Sequence, residues 1–174
     1  MRIGTVLVGT LLSVGLLAPA PGSAQSASAR LINPDGADVG SVTITQLARG
    51  VQVVLDASDL PAGEHAFHIH AVGACEPPEF ASAGGHANPT GAEHGWDNPN
   101  GHHAGDLPNV HVGDDGTLSL ELLTDAVMLG QSPNSLFDAD GAAVVLHQEP
   151  DDYQSDPAGN AGPRIACGVL AKSG

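Results

Sequence analysis

Hydrophobic and polar positions alternate in short runs along most of the chain, separated by clusters of turn-forming residues. Ser41-Val-Thr-Ile-Thr-Gln-Leu and Thr117-Leu-Ser-Leu-Glu-Leu keep a period of two, the mark of half-buried antiparallel strands. Runs of the same β type cover Ala29–Asn33, Gly40–Ala48, Val51–Ser58, His65–Val72, Gly116–Thr124, Ala142–His147 and Arg164–Leu170. Turn chemistry punctuates them at Pro34-Asp-Gly, Arg49-Gly, Leu60-Pro-Ala-Gly, Asp114-Asp-Gly and Asp138-Ala-Asp-Gly, where Gly, Pro and Asp supply the turn dihedrals and local hydrogen bonds. The last of these lacks the further ligand positions of a calcium loop and reads as a turn. No internal repeat and no helical period follow the N-terminal segment. The pattern predicts an all-β sandwich or barrel.

Two stretches break this rhythm. Residues 73–106 and 148–163 are rich in Gly and Pro, with little periodicity. Irregular connections of that length inside a compact domain are usually functional. At the N-terminus, Met1-Arg2 precedes an uncharged apolar run from Ile3 to Leu17 and then a small, polar segment to Ala29. That order reads as a secretory signal. The run falls short of the roughly 18–20 apolar residues of a membrane span, so no stable span is expected. The expected cut follows Ala24, with Ala29 as the alternative, leaving 25–174 as one domain in the periplasm or outside the cell. Cys75 and Cys167, an isolated pair outside any CxxC, are expected to form a disulfide in that oxidising compartment. A bridge across that separation contributes about 4–5 kcal/mol in the chain-entropy view.

Charge narrows the partners. With Lys+Arg 5 against Asp+Glu 20 and a formal net charge of −15, the chain lacks the clustered cations that nucleic-acid binding requires. Aromatic residues, at 3%, are too few for base-stacking platforms. Nine histidines beside a single lysine, Lys172, are the unusual feature. His68 and His70 sit two apart on an expected strand and so project from one face, converging as metal ligands do. His65 shares the parity of Ile69 and is expected to be structural. The long loop adds His86, His94, His103 and Asp106, three imidazoles and a carboxylate that suit a closed, structural zinc site. An all-imidazole set suits copper, and His147 ends an apolar run from which a ligand can be presented rigidly. Read from the residues alone, a solvated histidine-rich flap is the competing account.

Five segments, in order, resemble the copper/zinc superoxide dismutase family: Gly63-Glu-His-Ala-Phe-His-Ile-His70, Ser82-Ala-Gly-Gly-His-Ala-Asn-Pro89, His103-Ala-Gly-Asp-Leu-Pro-Asn109, Val144-Val-Leu-His147 and Gly159-Asn-Ala-Gly-Pro-Arg-Ile-Ala-Cys-Gly168. The exported bacterial branch is the nearest match, given the signal and Cys75-Glu-Pro-Pro-Glu-Phe80. The resemblance implies an eight-stranded antiparallel Greek-key β-barrel or sandwich carrying two long functional loops. It implies disproportionation of superoxide to molecular oxygen and hydrogen peroxide by alternating reduction and oxidation of a copper ion. By position, copper falls to His68, His70, His86 and His147. Zinc falls to His86, His94, His103 and Asp106, one of each metal per subunit, with His86 bridging and carrying a proton in the cycle. Spacing to Asp106 selects His103 over His102, which with His111 is expected to be a solvated bystander. Asp151 corresponds to the carboxylate that supports one imidazole of each set. Arg164 corresponds to the arginine at the copper mouth. A homodimer is one assembly the resemblance leaves open.

Two departures stand out. Ala87 follows the bridging histidine where phenylalanine is common, which implies looser packing there. Residues 148–163 contain no lysine or arginine, so electrostatic attraction of superoxide is expected to rest on Arg164 and the metals. A copper or zinc binding protein without turnover needs the same ligands but not Arg164. A catalytically silent relative would be missing ligands, and all seven are present here.

Overall fold

The computed structural model describes residues 25–173; the expected signal segment lies outside them. The described residues form ten strands: β1 (Ser26–Ile32), β2 (Asp38–Gln46), β3 (Val51–Ala57), β4 (Gly63–His65), β5 (Phe67–His70), β6 (Val110–Val112), β7 (Leu118–Thr124), β8 (Ala143–His147), β9 (Arg164–Val169) and β10 (Ala171–Ser173). A single 3₁₀ turn, Ala81–Ala83, lies between β5 and β6.

The paired order is β5-β8-β9-β1-β2-β3-β7, with β10 beside β1, and a second ribbon joins β4 to β6. All named pairs are antiparallel. β4 and β5 are one interrupted strand: between them Ala66 donates to Glu149 O and accepts from His147 N. Counted so, and with the terminal β10 set aside, the sheet has the expected eight strands. The ribbon continues from β5 through β4 to β6, which leads into β7 by a turn in which Gly113 N donates to Thr117 O. A curled, nearly all-β body results.

Alternation decides what is inside. Ala27, Ala29 and Leu31 of β1, Val51, Val53 and Leu55 of β3, and Phe67 and Ile69 of β5 share the main core. Burying such side chains is worth roughly 1.5–3 kcal/mol each for the larger ones. In β2 the inward set shifts from Val39 to Val42 and Ile44, because the β1–β2 register slips between Leu31 and Ile32. At that slip Gly40 has φ 149°, and a Cβ there would strike the backbone of Asp56 and Ala57. β8 is buried on both faces. Val144 and Leu146 enter the main core, while Ala143 and Val145 pack with Phe80, Ala83 and Cys167 in a second cluster outside the barrel. A continuous apolar run without alternation is what a strand covered on both sides requires.

Two expectations need correction. The strand expected over His65–Val72 breaks at Ala66 and ends at His70, and β6 and β10 were not foreseen. Three-residue strands carry too little periodicity to register; β6 is fixed by its partner β4 through Glu64 opposite His111.

Candidate metal centre

The outer edge of β5 positions the centre. Its inner edge pairs with β8, and its other edge receives two pieces of the long loop. Ala71 N donates to Gly85 O, Ala87 N to Ile69 O, and Ile69 N to Gly105 O, at 2.8–2.9 Å. These bonds place His86 beside His70 and Asp106 beside His68. Gly105 is required at this crossing, since a Cβ would enter the Ile69 carbonyl. Period-two geometry sends Phe67 and Ile69 into the core and His68 and His70 toward the loop.

The buried polar and charged side chains among the described residues are His65, His68, His70, His86, His94, His103, Asp106, His147 and Asp151. Every imidazole and carboxylate expected at the centre is therefore withdrawn from water, where an unpaired polar group is costly. His68, His70, His86 and His147 bring ligand atoms within 4.8 Å of one another, and so do His86, His94, His103 and Asp106. The sets share His86.

Hydrogen bonds choose which nitrogen of each ring faces inward. His70 Nδ1 donates to Gly84 O at 3.0 Å, and His147 Nδ1 donates to Gly162 O at 3.2 Å. Their Nε2 atoms consequently present lone pairs to each other at 3.4 Å, an arrangement that a cation between them relieves. His68 directs Nε2 to Asp151 Oδ2 at 2.8 Å. Its Nδ1, together with His86 Nε2, is buried without any partner. On the other side His86 Nδ1 lies 2.7 Å from Asp106 Oδ1 and 3.3 Å from His103 Nδ1. The latter matches the edge of a tetrahedron with zinc–nitrogen bonds of about 2.0–2.1 Å. His94 Nδ1 is 3.1 Å from Asp106 Oδ2 but off the line a hydrogen bond needs, so it too is unsatisfied. The three orphaned nitrogens all point into the two donor sets. The residues fit a copper ion in the all-imidazole set and a zinc ion in the set with Asp106.

Asp151 spans both sets, with Oδ2 on His68 and Oδ1 3.0 Å from His94 Nε2. Asp152 is exposed and instead accepts from Gln154 N and Ser155 N, so the neighbouring acid has a turn-forming task. Such outer carboxylates fix ring orientation and tautomer.

Electrostatics agree with the donor chemistry. Burial, followed by His86 and Arg164, pulls His70 down to about 2. Burial and then His68 take His147 to about 3, and burial outweighs the Asp106 hydrogen bond to leave His86 at about 4. These rings are neutral near pH 7, the form that ligates metals. Burial works against a charged His94, but the carboxylates of Asp106 and Asp151 beside its two nitrogens prevail and raise it to about 9. Burial likewise opposes charge on Asp106, yet its imidazole and backbone donors hold it well below the usual carboxylate range. The Asp106 side thus attracts positive charge.

Arg164 reaches the first set from β9. Its Nη1 donates to Phe80 O and its Nη2 to Gly84 O, each at 2.6 Å. The loop carrying those carbonyls is stapled by the Cys75–Cys167 disulfide, whose Cα atoms are 5.7 Å apart.

Matching residues 39–170 is the family described as copper/zinc superoxide dismutase (SODC). The chain belongs to the copper/zinc superoxide dismutase family. Superoxide dismutase [Cu-Zn] 2 of Aquifex aeolicus is 46% identical over 97% of this chain and 98% of its own length. Superoxide dismutase [Cu-Zn] 1 of the same organism is 50% identical over 82% of this chain and 85% of its own. The crystal structure of a SOD-like protein from Bacillus subtilis aligns with a TM-score of 0.80 at 41% identity, covering 83% of this chain and 97% of that one.

Family spacing places His102 outside both sets, but it is not the solvated bystander expected. Its ring stacks on Trp96 at 3.7 Å with planes 17° apart, and its Nδ1 donates to His103 O. Trp96 in turn donates to Asp106 O. His111 is exposed, as expected, and His65 is structural, with Nδ1 facing His147 O and Nε2 facing Pro61 O. Ala87 lines a cavity of about 180 Å³ together with Ala71, Ala104 and Ala142, and packs against the main core. Supporting residues that sequence reading gave no role are Asn109, Tyr153 and Gly159. At Gly159, with φ 63°, any Cβ would collide with Asp151 and His94. The Gly159-Asn-Ala-Gly segment was visible in the sequence, but nothing local says which side chain it packs against.

Proposed function

We propose that this protein disproportionates superoxide to molecular oxygen and hydrogen peroxide, with His68, His70, His86 and His147 holding copper and His86, His94, His103 and Asp106 holding zinc. The observation that carries this reading is the shared His86: its Nε2 is orphaned toward one set while its Nδ1 faces the other. Copper, when bound, supplies the alternating one-electron reduction and oxidation that the reaction needs. The His86 ring, placed between the sets, is suited to deliver a proton from Nε2 toward the mouth. Gly84 O and Gly162 O hold the His70 and His147 rings, so their Nε2 atoms stay aimed through the cycle. Arg164, pinned by two carbonyls, presents a permanent positive charge to a small anion. Asp151 locks one imidazole of each set.

The same reading includes export and removal of the leader after Ala24. The start of β1 at Ser26 supports this position over Ala29, because Ala27 is buried opposite Ile44 and Gln25 O accepts from Gln46 N. Among the described residues no helix is long and apolar enough to cross a membrane. It includes a homodimer as well, supported by Leu47, Trp96 and Leu123, exposed apolar side chains that line one cavity of about 350 Å³. Sedimentation at micromolar concentration as a monomer would remove that element. The activity is tested by chelating the purified protein and restoring copper and zinc. Dismutation lost and regained supports the enzyme; stoichiometric metal uptake without turnover contradicts it.

A further inference from the structure

Tyr153 lies on the acidic loop, two residues past Asp151, and holds φ 61°, a left-handed conformation that a bulky residue keeps only when its surroundings enforce it. Four bonds do so. Its backbone N donates to Asp151 Oδ1 at 2.6 Å. Its carbonyl accepts from Asp97 N at 2.9 Å and lies against Gly95, where a Cβ would collide with it. Its phenolic oxygen accepts from Asn109 N at 2.8 Å. Asn109 then clasps the main chain of Asp151 like a neighbouring strand, donating Nδ2 to Asp151 O at 2.9 Å and accepting from Asp151 N at 2.8 Å through Oδ1.

We infer that Tyr153 is a positioning residue for the two-metal centre, acting through Asp151 by a direct backbone bond and, by way of its hydroxyl, through Asn109. The bulk of a phenol is not needed to make the left-handed turn, which glycine or asparagine adopts more readily. What tyrosine adds is a hydroxyl that reaches the segment leading into β6 and fixes the Asn109 clasp. Asp151 is thereby held at three points of its main chain and carboxylate, and its two oxygens meet His68 and His94. A shift of Asp151 turns one ring in each donor set at once. Tyr153 belongs to neither set, and the influence of its hydroxyl travels through Asn109 to Asp151.

This inference rests on the metal assignment proposed above. Its test is a double-mutant cycle between Tyr153→Phe and Asp151→Asn, read by zinc affinity in competition with a chelating dye and by the electron paramagnetic resonance spectrum of bound Cu(II). Losing a direct outer partner lowers metal affinity by about 10–100-fold; one bond further out, Tyr153→Phe is expected to weaken zinc by about fivefold and to shift the copper signal. In the Asp151→Asn background the same change should alter zinc affinity by less than about twofold and leave the copper signal where Asp151→Asn alone puts it. An equal loss in both backgrounds, or no loss in the wild type, overturns the inference. Should Tyr153→Phe fail to fold, Asn109→Asp, which keeps the acceptor and removes the donor, is read by the same cycle with the same criteria. Wild-type protein that takes up no zinc overturns the metal assignment and this inference with it, whereas zinc-replete protein indifferent to Tyr153 overturns this inference alone.

Discussion

His70 and Arg164 share one acceptor: the carbonyl of Gly84 receives His70 Nδ1 at 3.0 Å and Arg164 Nη2 at 2.6 Å. One peptide thus sets both a ring of the all-imidazole set and the cation beside it. Arg164→Glu is expected to cut the dismutation rate constant well beyond tenfold, a barrier change above about 1.4 kcal/mol. Copper content should persist, because His70 keeps its bond to Gly84 and Arg164 is not a ligand. Pulse radiolysis with metal analysis checks both halves. Loss of copper in step with activity would make the arginine a mere anchor for the loop.

Ionic strength should matter little. Arg164 is the only cation whose side chain engages the copper loop among the described residues. Arg30 sits 3.4 Å from Asp38, and Lys172 lies 4.9 Å over the Phe137 ring. Arg49 lines the cavity on the Trp96 face. A lone, half-buried charge set against a formal net charge of −15 gives opposing fields that salt screens together. The catalytic rate constant measured across salt concentrations is expected to change shallowly. A steep fall would reveal a basic contribution that this arrangement does not contain.

The metal-free protein should lose stability on acidification. His86 and His147 are held at about 4 and about 3, below the ordinary 6.5, so the unfolded chain takes up protons first. Their contribution is complete above 6.5 and drains as pH falls from there toward those values. His94, raised to about 9, behaves oppositely: its contribution is complete below 6.5 and fades as pH rises through about 9. Urea titrations of the apo, disulfide-intact protein should therefore give a lower midpoint at pH 5 than at pH 7. A midpoint that rises on acidification contradicts the buried, neutral state of these rings.

Removing zinc should free only part of the long loop. Few apolar side chains hold it, so its order should depend on the ligands. Yet Gly85, Ala87 and Gly105 are bonded to the β5 backbone, and the disulfide holds the preceding stretch. Increased amide exchange is expected between residues 88 and 104, with residues 85–87 and 105–106 staying protected, and with a lower melting temperature. Unchanged protection throughout the loop in metal-free, reduced protein would show that zinc does not organise it.

Much of this was legible beforehand, for physical reasons that differ by element. β2 and β7 carry the alternating runs Ser41–Leu47 and Thr117–Leu122 and are legible from them, and the parity of Phe67-His-Ile-His70 separates core side chains from candidate ligands. The two clusters of candidate ligands were legible because metal chemistry restricts residue type as well as spacing and because the family resemblance divides the histidines between them. By contrast, β4 and β6 are too short to show a period and exist only as each other's partner. The roles of Asn109 and Tyr153 arise from contacts between segments some forty residues apart, and that of Gly159 from its approach to both Asp151 and His94, which no local pattern encodes. The stacking of His102 on Trp96 was not legible for a different reason: the two are close in sequence, but the irregular loop that folds one ring onto the other has no periodicity to read. Arg164 was placed at the mouth, but its two carbonyl anchors were visible only in the fold.

Metal content of His147→Ala, beside that of the wild type, tests the two-set assignment most directly. His147 belongs to the all-imidazole set and to no other. The wild type is expected to hold one copper and one zinc per chain and to dismutate superoxide. The variant should keep its zinc while losing copper affinity and activity together. Full activity in His147→Ala, or loss of zinc with copper retained, would contradict the assignment of the redox centre.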